Sequence, residues 1–563
     1  MCGIAGVVGE NVNESKLTSM LNKQAHRGPD STGRVVNGNC ILGHNRLSII
    51  DLSAEGNQPM VSICGRYFIV FNGELYNYKE LRNELSLINF RSQSDTEVFL
   101  QAYIEWGVSF LDKCIGMFAF AIWDSVEHKL FAARDRFGVK PLYYSFTNGL
   151  FYFASEIKSL WEAGVKREPK PSVWASYFAY GSYGMPDETF YSSVNQLPAG
   201  HFLYYSVNKG LQIKRWYDFQ SEILKINLSP DEEVEKKCIQ LLKESVSLRF
   251  RSDVPVGFNL SGGLDSSLLL SVVDSLGDES KSIKAFTFTS GHPQYDELPW
   301  VKALLHNRQH PLVDCRLDVL QVPELTAKVS YFQDEPFGGI PTLAYAQIFE
   351  EARKLGVLVL LDGQGIDETW GGYDYYAKGT NYFVQGTTSS PTRPEILLPE
   401  FLMETTSPEY PSLFDNKLQN LQYRDIFYTK IPRALRFNDR ISMMFSTELR
   451  EPFLDHRLVE FGFAQSDQIK MRWGEQKWLI RKIAQQFIGQ ELSFAPKRPV
   501  QTPQREWLRT ELREWASERI ALFSKHSWVD RKKIEREWNA YLAHSCDNSF
   551  YIWQWINASY LLN

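Results

Sequence analysis

Along the first 210 or so residues the apolar positions come in short runs broken by Asn, Gly and Asp: ILGHNRLSII, RYFIVFNGEL, GMFAFAIWD, KLFAARD, LYYSF and LFYFASE. Runs this short, rich in Ile, Val, Phe and Tyr, predict strands, and their close succession predicts an antiparallel sandwich with a few covering helices. The pattern changes at Leu228-Ser229-Pro230-Asp231-Glu232. Ser229 suits an N-cap there, Pro230 the first turn and Glu232 the far side of a capping box, so a helix to about Arg249 is expected. VPVGFNL, a helix from Ser266, IKAFTFTS, a helical stretch and GVLVLLDG then alternate strand with helix, as parallel α/β sheets do. From about Glu400 the Leu, Ile and Trp spacing is largely helical, and the polar segment GTTSSPTRPE at 386–395 reads as a loop.

At 563 residues the chain exceeds what one hydrophobic core supports, so two or three domains are expected. A net charge of −6 supplies no basic field for a nucleic-acid backbone or an anionic membrane, which leaves small molecules as the expected partners. The seven cysteines form no CxxC pair and read as neither a disulfide framework nor a zinc site, which fits a reducing, cytoplasmic setting. MCGIAGVVGE lacks the basic and apolar regions of a secretory signal, and no window approaches the ~18 apolar residues of a membrane span, so a native N-terminus is expected.

That expectation has chemical weight. Removal of Met1 would make Cys2 the terminus, so that one residue carries a thiol nucleophile and an α-amine able to act as its base. Attack on an amide carbonyl also needs donors for the developing oxyanion, and FNGELYN offers the Asn72 side chain beside the Gly73 backbone N–H. Free glutamine would further need a cation for its α-carboxylate and an anion for its α-ammonium; Arg46 and Asp95 are candidates, with Glu74 a second acceptor. Downstream, Ser261-Gly262-Gly263-Leu264-Asp265-Ser266-Ser267 joins the strand VPVGFNL to an apolar helix. A Gly-rich turn between strand and helix presents N–H groups to an anion, which reads as phosphate binding. No GxxxxGK[ST] pattern accompanies it, which argues against P-loop γ-phosphoryl transfer.

Together MCGIAGV, HRGPDSTG, RLSIID, FNGELYN, SDTE and ARDRFGVKPLYY resemble the class II glutamine amidotransferases with an N-terminal cysteine. That resemblance implies Cys2 as nucleophile, Asn72 and Gly73 as oxyanion hole, and Arg46, Ile49, Glu74 and Asp95 as glutamine-binding. SGGLDSS resembles the pyrophosphate loop of ATP pyrophosphatases, and with the first resemblance it points to the glutamine-hydrolysing asparagine synthetases. An N-terminal-nucleophile-type α+β domain (1–210) and an α/β synthetase domain (211–563) are implied. So are ATP, Mg²⁺ and aspartate as partners, and relatives suggest a homodimer. Leu260, Ser261, Gly262, Gly263, Asp265, Ser266, Phe288, Asp362 and Gly363 would meet ATP, Asp265 and Asp367 the Mg²⁺, and Lys477 the pyrophosphate and transition-state charge. FNDRISMMFSTELREPFLDHRLVEF, with its Arg450–Asp455 element, resembles the family's acceptor-proximal stretch.

The sequence departs from the family in the loop after GVLVLL. The family commonly has an acid where this chain has Gln364, and a Ser where it has Asp362. An amide has no proton-accepting pKa in the working range, so either another carboxylate, such as Asp362 or Glu368, takes that role or the acceptor differs from aspartate. Pro499 is a further departure. Two competing readings are a glutaminase joined to a non-catalytic module and a phosphate-sugar aminotransferase working without ATP. The intact SGGLDSS loop argues against both.

Overall fold

The computed structural model describes residues 2–562 except 86, 228–229, 278–282, 379–389, 496–501 and 545–547. Ser229, Pro499, Cys546 and residues 386–389 of the polar segment therefore lie outside the described residues.

The described residues of the first domain form twelve strands, β1 (Gly3–Val8), β2 (Ser31–Asn37), β3 (Cys40–Arg46), β4 (Met60–Val61), β5 (Tyr67–Leu75), β6 (Gly116–Asp124), β7 (Lys129–Arg134), β8 (Tyr143–Thr147), β9 (Leu150–Ala154), β10 (Asn195–Gln196), β11 (His201–Ser206) and β12 (Gly210–Arg215), and the six short apolar runs are β3 and β5 to β9. The twelve build two antiparallel six-stranded sheets, ordered β10-β8-β9-β1-β3-β2 and β12-β11-β7-β6-β5-β4. Strand alternation sorts the side chains. Ile4 and Val8 of β1 meet Val70 of β5 and Ala121 and Trp123 of β6 between the sheets. Ile69, Phe71 and Leu75 point outward from β5 onto the helix Asp95–Trp106, which Ser94 caps by accepting from Thr96 N. By the same period Cys2 falls on the inner layer with Ile4, and Asn72 with Val70. β12, which pairs with β11 through Arg215, carries the second sheet past residue 210.

Beyond it the helix Asp231–Arg249 leads into a parallel sheet of β13 (Val256–Asn259), β14 (Ala285–Thr289), β15 (Leu312–Arg316), β16 (Val359–Leu361) and β17 (Glu448–Arg450), in the order β15-β14-β13-β16-β17. Pro230 sits at that helix's cap position, one place before its expected role in the first turn. Helices Leu264–Asp274 and Trp478–Ser493 cover one face of the sheet, and Ile340–Lys354 and Lys430–Met444 the other. The helix after the Gly-rich turn starts at Leu264, two residues ahead of the expected Ser266. Because the chain runs from β13 outward to β14 and β15 and then returns to β16, the loops after β13 and β16 diverge at a topological switch point. That crevice is where open α/β sheets bind ligands. Among the described residues no helix is long and apolar enough to cross a membrane.

Candidate active sites

At the edge of the sandwich Cys2 N donates to Asn72 Oδ1 at 3.0 Å, and the thiol lies 3.9 Å from Leu47 O. Asn72 is fully buried, and with Oδ1 turned to Cys2 its Nδ2 has no partner among the described residues. A buried amide donor left unpaired costs free energy unless something comes to meet it. Gly73 is required by packing, since a Cβ there would stand 2.1 Å from Met117 O. Burial pushes the Cys2 thiol above its ordinary pKa, so ionisation at neutral pH needs a base.

Cys2, Arg46, Ile49, Gly73, Glu74 and Asp95 line one cavity of about 330 Å³, together with Gln58, Ser94 and Thr96. The structure therefore brings the predicted amidotransferase residues together, and Asn72 adjoins them. Arg46 Nη1 donates to Ser53 O at 2.7 Å and Asn57 Oδ1 at 3.0 Å, and its Nη2 donates to Asp51 O, so much of the guanidinium holds the 50–57 loop. Asp95 Oδ2 accepts from Leu75 N at 2.8 Å, yet burial pushes its carboxyl up to about 6. Burial, reinforced by Glu448, raises Glu74 well above the carboxylate range, with Arg450 Nη2 3.4 Å from Glu74 Oε2.

The second site lies at the switch point. Ser261 and Ser266 join through their hydroxyls at 2.9 Å, Gly263 N donates to Ser261 Oγ at 3.2 Å, and Gly262 N donates to Glu297 Oε2 at 3.2 Å. A cavity of about 460 Å³ beside this turn is lined by Leu260, Ser261, Ser266, Phe288 and Asp362, all predicted, and by Asn259, Thr287, Tyr345 and Glu297, which were not. Asn259 is buried with neither amide atom partnered among the described residues. Gly363 packs where a Cβ would stand 3.4 Å from Asp265 Cβ and Ser266 N, so the loops after β13 and β16 touch.

Lys477 Nζ lies 2.8 and 2.9 Å from the two Asp265 oxygens and 2.6 Å from Asp367 Oδ1. Burial works against its charge, but the two carboxylates hold its pKa above the ordinary lysine value. Its backbone is left-handed at φ 55°, ψ 38°, in the step from the hairpin Met471–Gln476 into the helix Trp478–Ser493. A non-glycine residue in that region carries strain that the surrounding structure must impose. Two carboxylates meeting one ammonium are a donor pair suited to Mg²⁺, which completes its shell with phosphate oxygens and water. Glu368 does not line that 460 Å³ cavity: Tyr373 OH donates to its Oε1 at 2.6 Å, and burial pushes it up to about 7.

Two sites thus sit in one chain: a buried cysteine beside an unpartnered amide donor in a sandwich, and a Gly-rich turn with a lysine-bridged acid pair at a parallel sheet. The class they define is a glutamine-hydrolysing carbon–nitrogen ligase. A glutamine amidotransferase domain model matches residues 1–217 and an asparagine synthase model residues 237–563. The chain belongs to the asparagine synthase family. It is similar to asparagine synthetase (glutamine-hydrolyzing) 1 of Bacillus subtilis, 29% identical over 98% of this chain and 95% of that protein. Asparagine synthetase (glutamine-hydrolyzing) 2 of the same organism is 31% identical over 89% of this chain and 71% of its own length. Amidase chyE of Penicillium rubens is 28% identical over 87% of this chain and 85% of that protein.

Proposed function

We propose that the chain hydrolyses glutamine at Cys2 and passes the ammonia to a carboxylate that the second domain has joined to AMP, with aspartate as the acceptor. The observation that carries this reading is the bridge from Lys477 to Asp265 and Asp367 beside the Ser261–Gly263 turn. A phosphate entering beside that turn would meet the start of the helix Leu264–Asp274 and the lysine charge together. Asp265 and Asp367 would hold Mg²⁺, which would neutralise phosphate charge there. The unpaired amide of Asn259 offers a donor and an acceptor to the nucleotide, and Phe288 offers an apolar surface.

In the first domain, removal of Met1 would turn the Cys2 nitrogen into the α-amine, already held by Asn72 Oδ1 at 3.0 Å. That amine would take the thiol proton, sulfur would attack the glutamine amide carbon, and Asn72 Nδ2 with Gly73 N would receive the oxyanion. Asp95 would hold the α-ammonium of glutamine. Arg46 would give up a loop carbonyl to take the α-carboxylate. A thioester and an acyl-adenylate both hydrolyse, so burial of both sites serves the chemistry.

A second acceptor reading, another carboxylate such as a sugar acid, is favoured by Gln364 and Asp362 in the loop after β16 and by relatives that include amidases. The deciding experiment incubates tag-free enzyme with ATP, Mg²⁺ and glutamine, adds aspartate to one arm and a panel of uronic acids to another, and quantifies AMP and amide by mass spectrometry. Aspartate-dependent AMP with equal asparagine is expected. AMP only with another carboxylate would move the acceptor, and glutamate without AMP under every acceptor would remove the synthetase reading.

A further inference from the structure

A third cavity, of about 360 Å³, lies between the domains, walled by Tyr76, Gly116 and Met117 of the first and by Arg249, Glu451 and Leu454 of the second. It adjoins both sites. Met117 is the register partner of Glu74, which lines the glutamine cavity, and β17 places Glu451 one residue beyond the pair Leu361↔Arg450, level with Asp362 at the nucleotide cavity. The backbone closes the same link, because Asp362 N donates to Arg450 O at 2.9 Å.

Forming an amide from ammonia releases a proton. As the nitrogen lone pair bonds to the acyl carbon, the C–O bond to AMP breaks, its electron pair leaves with the AMP phosphate, and one N–H proton must go to a base. Most carboxylates nearby are committed. Asp135, in the same cavity, accepts from the N–H groups of Phe118, Phe137, Val139 and Lys140. Glu368 is bonded to Tyr373, and Asp265 and Asp367 bind Lys477. Asp362 faces the nucleotide cavity and accepts from Gly363 N at 2.9 Å. Its Oδ2 has no hydrogen-bond partner among the described residues, and the same holds for Oε2 of Glu451; both residues are 5% exposed, but Glu451 alone of the two lines the cavity between the sites, on the side from which ammonia would come.

We propose that Glu451 is the base that takes the proton from ammonia as the amide forms, filling the role that Gln364 cannot. The inference rests on the acyl-adenylate reading above. Burial first, and Asp362 and Asp135, push the Glu451 carboxyl up while Lys140 and Arg249 pull it down, leaving it at about 8, a value suited to accepting a proton near neutral pH. Such a group works as a base in its ionised form, so amide formation should rise with pH through about 8.

The test compares three readouts in full-length wild type and Glu451→Gln: glutamine hydrolysis, carboxylate-dependent ATP–pyrophosphate exchange, and amide formed from glutamine. The expected result is hydrolysis and exchange near wild type, amide formation down by roughly 100-fold or more, and loss of its rise with pH. Amide formation within about twofold of wild type at every pH, or equal loss of all three readouts in a folded variant, would overturn the assignment. Glu451→Asp, which keeps a displaced carboxylate, carries the same comparison should the glutamine variant not fold, and it should keep the pH dependence at a lower rate. Wild type that shows no exchange with any carboxylate would overturn the adenylation reading and this proposal together, whereas normal exchange with an unaffected variant would overturn this proposal alone.

Discussion

At the scale of single residues, the cavity around Cys2 sets its own pH dependence. Asp95 is a buried carboxyl held at about 6, so it carries the charge that attracts an ammonium above that pH and loses it below. The KM for glutamine should therefore rise as the pH falls through about 6. Asp95→Asn should lower kcat/KM for glutamine by roughly 10- to 100-fold, the range of one charge-assisted hydrogen bond of about 1.5–3 kcal/mol. Steady-state glutaminase kinetics from pH 5 to 8 check both, and a flat KM would remove Asp95 from glutamine binding.

At the scale of elements, the second site depends on two helices and a left-handed step arriving together. The start of the helix Leu264–Asp274 and the short helix Ile366–Thr369 after β16 each bring one acid, and the left-handed step into Trp478–Ser493 brings the cation between them. Lys477→Met should remove the ammonium that Asp265 and Asp367 share. Breaking such a buried group should cost about 3 kcal/mol or more of stability. Added Mg²⁺ should raise the melting temperature of the variant more than that of wild type, because the freed carboxylates can bind it, while ATP–pyrophosphate exchange falls by roughly 100-fold. Calorimetry with and without Mg²⁺ reads the first effect, and an equal Mg²⁺ response in the two proteins would count against a metal at these carboxylates.

At the scale of the whole molecule, one arginine ties the domains together at Cys2. Arg27, fully buried, donates through Nε to Cys2 O at 3.1 Å and through both Nη atoms to Asp439 at 2.9 and 3.0 Å, and it also reaches Glu156 at 3.0 Å. Asp439 belongs to the helix Lys430–Met444, which packs on the parallel sheet. Asp439→Ala should destabilise the protein by roughly 3–5 kcal/mol by stranding part of a buried charge, and it should lower glutamine hydrolysis although the change lies in the synthetase domain. Thermal unfolding and a glutaminase assay check this, and unchanged hydrolysis would show that the clamp only holds the domains together. Burial opposes ionisation of Asp439, but Arg27 outweighs it and holds the carboxyl below its ordinary range. Its stabilising contribution is therefore present above about pH 4, the unfolded value, and is lost as the pH falls through the lower folded one.

Much of this was legible along the chain, because backbone preferences and side-chain alternation are local. The period of two that buries Ile4 and Val8 also sets Cys2 inward, RYFIVFNGEL became β5 with Asn72 and Gly73 at its far end, and VPVGFNL became β13 feeding the Gly-rich turn. The Asn in VPVGFNL is itself a signal of the site: a polar side chain in an otherwise apolar central strand. Glu451 carried a similar one, an acid directly before the buried Pro452-Phe453-Leu454 run. What the chain pattern does not encode is which distant side chains meet. Lys477 reaches Asp265 across 212 residues and Arg27 reaches Asp439 across 412, and Glu451 faces a cavity whose other wall is β6. Those meetings depend on how sheets and helices stack, and in low-dielectric surroundings that stacking decides which acids are paired, which keep a proton and which remain open to a substrate.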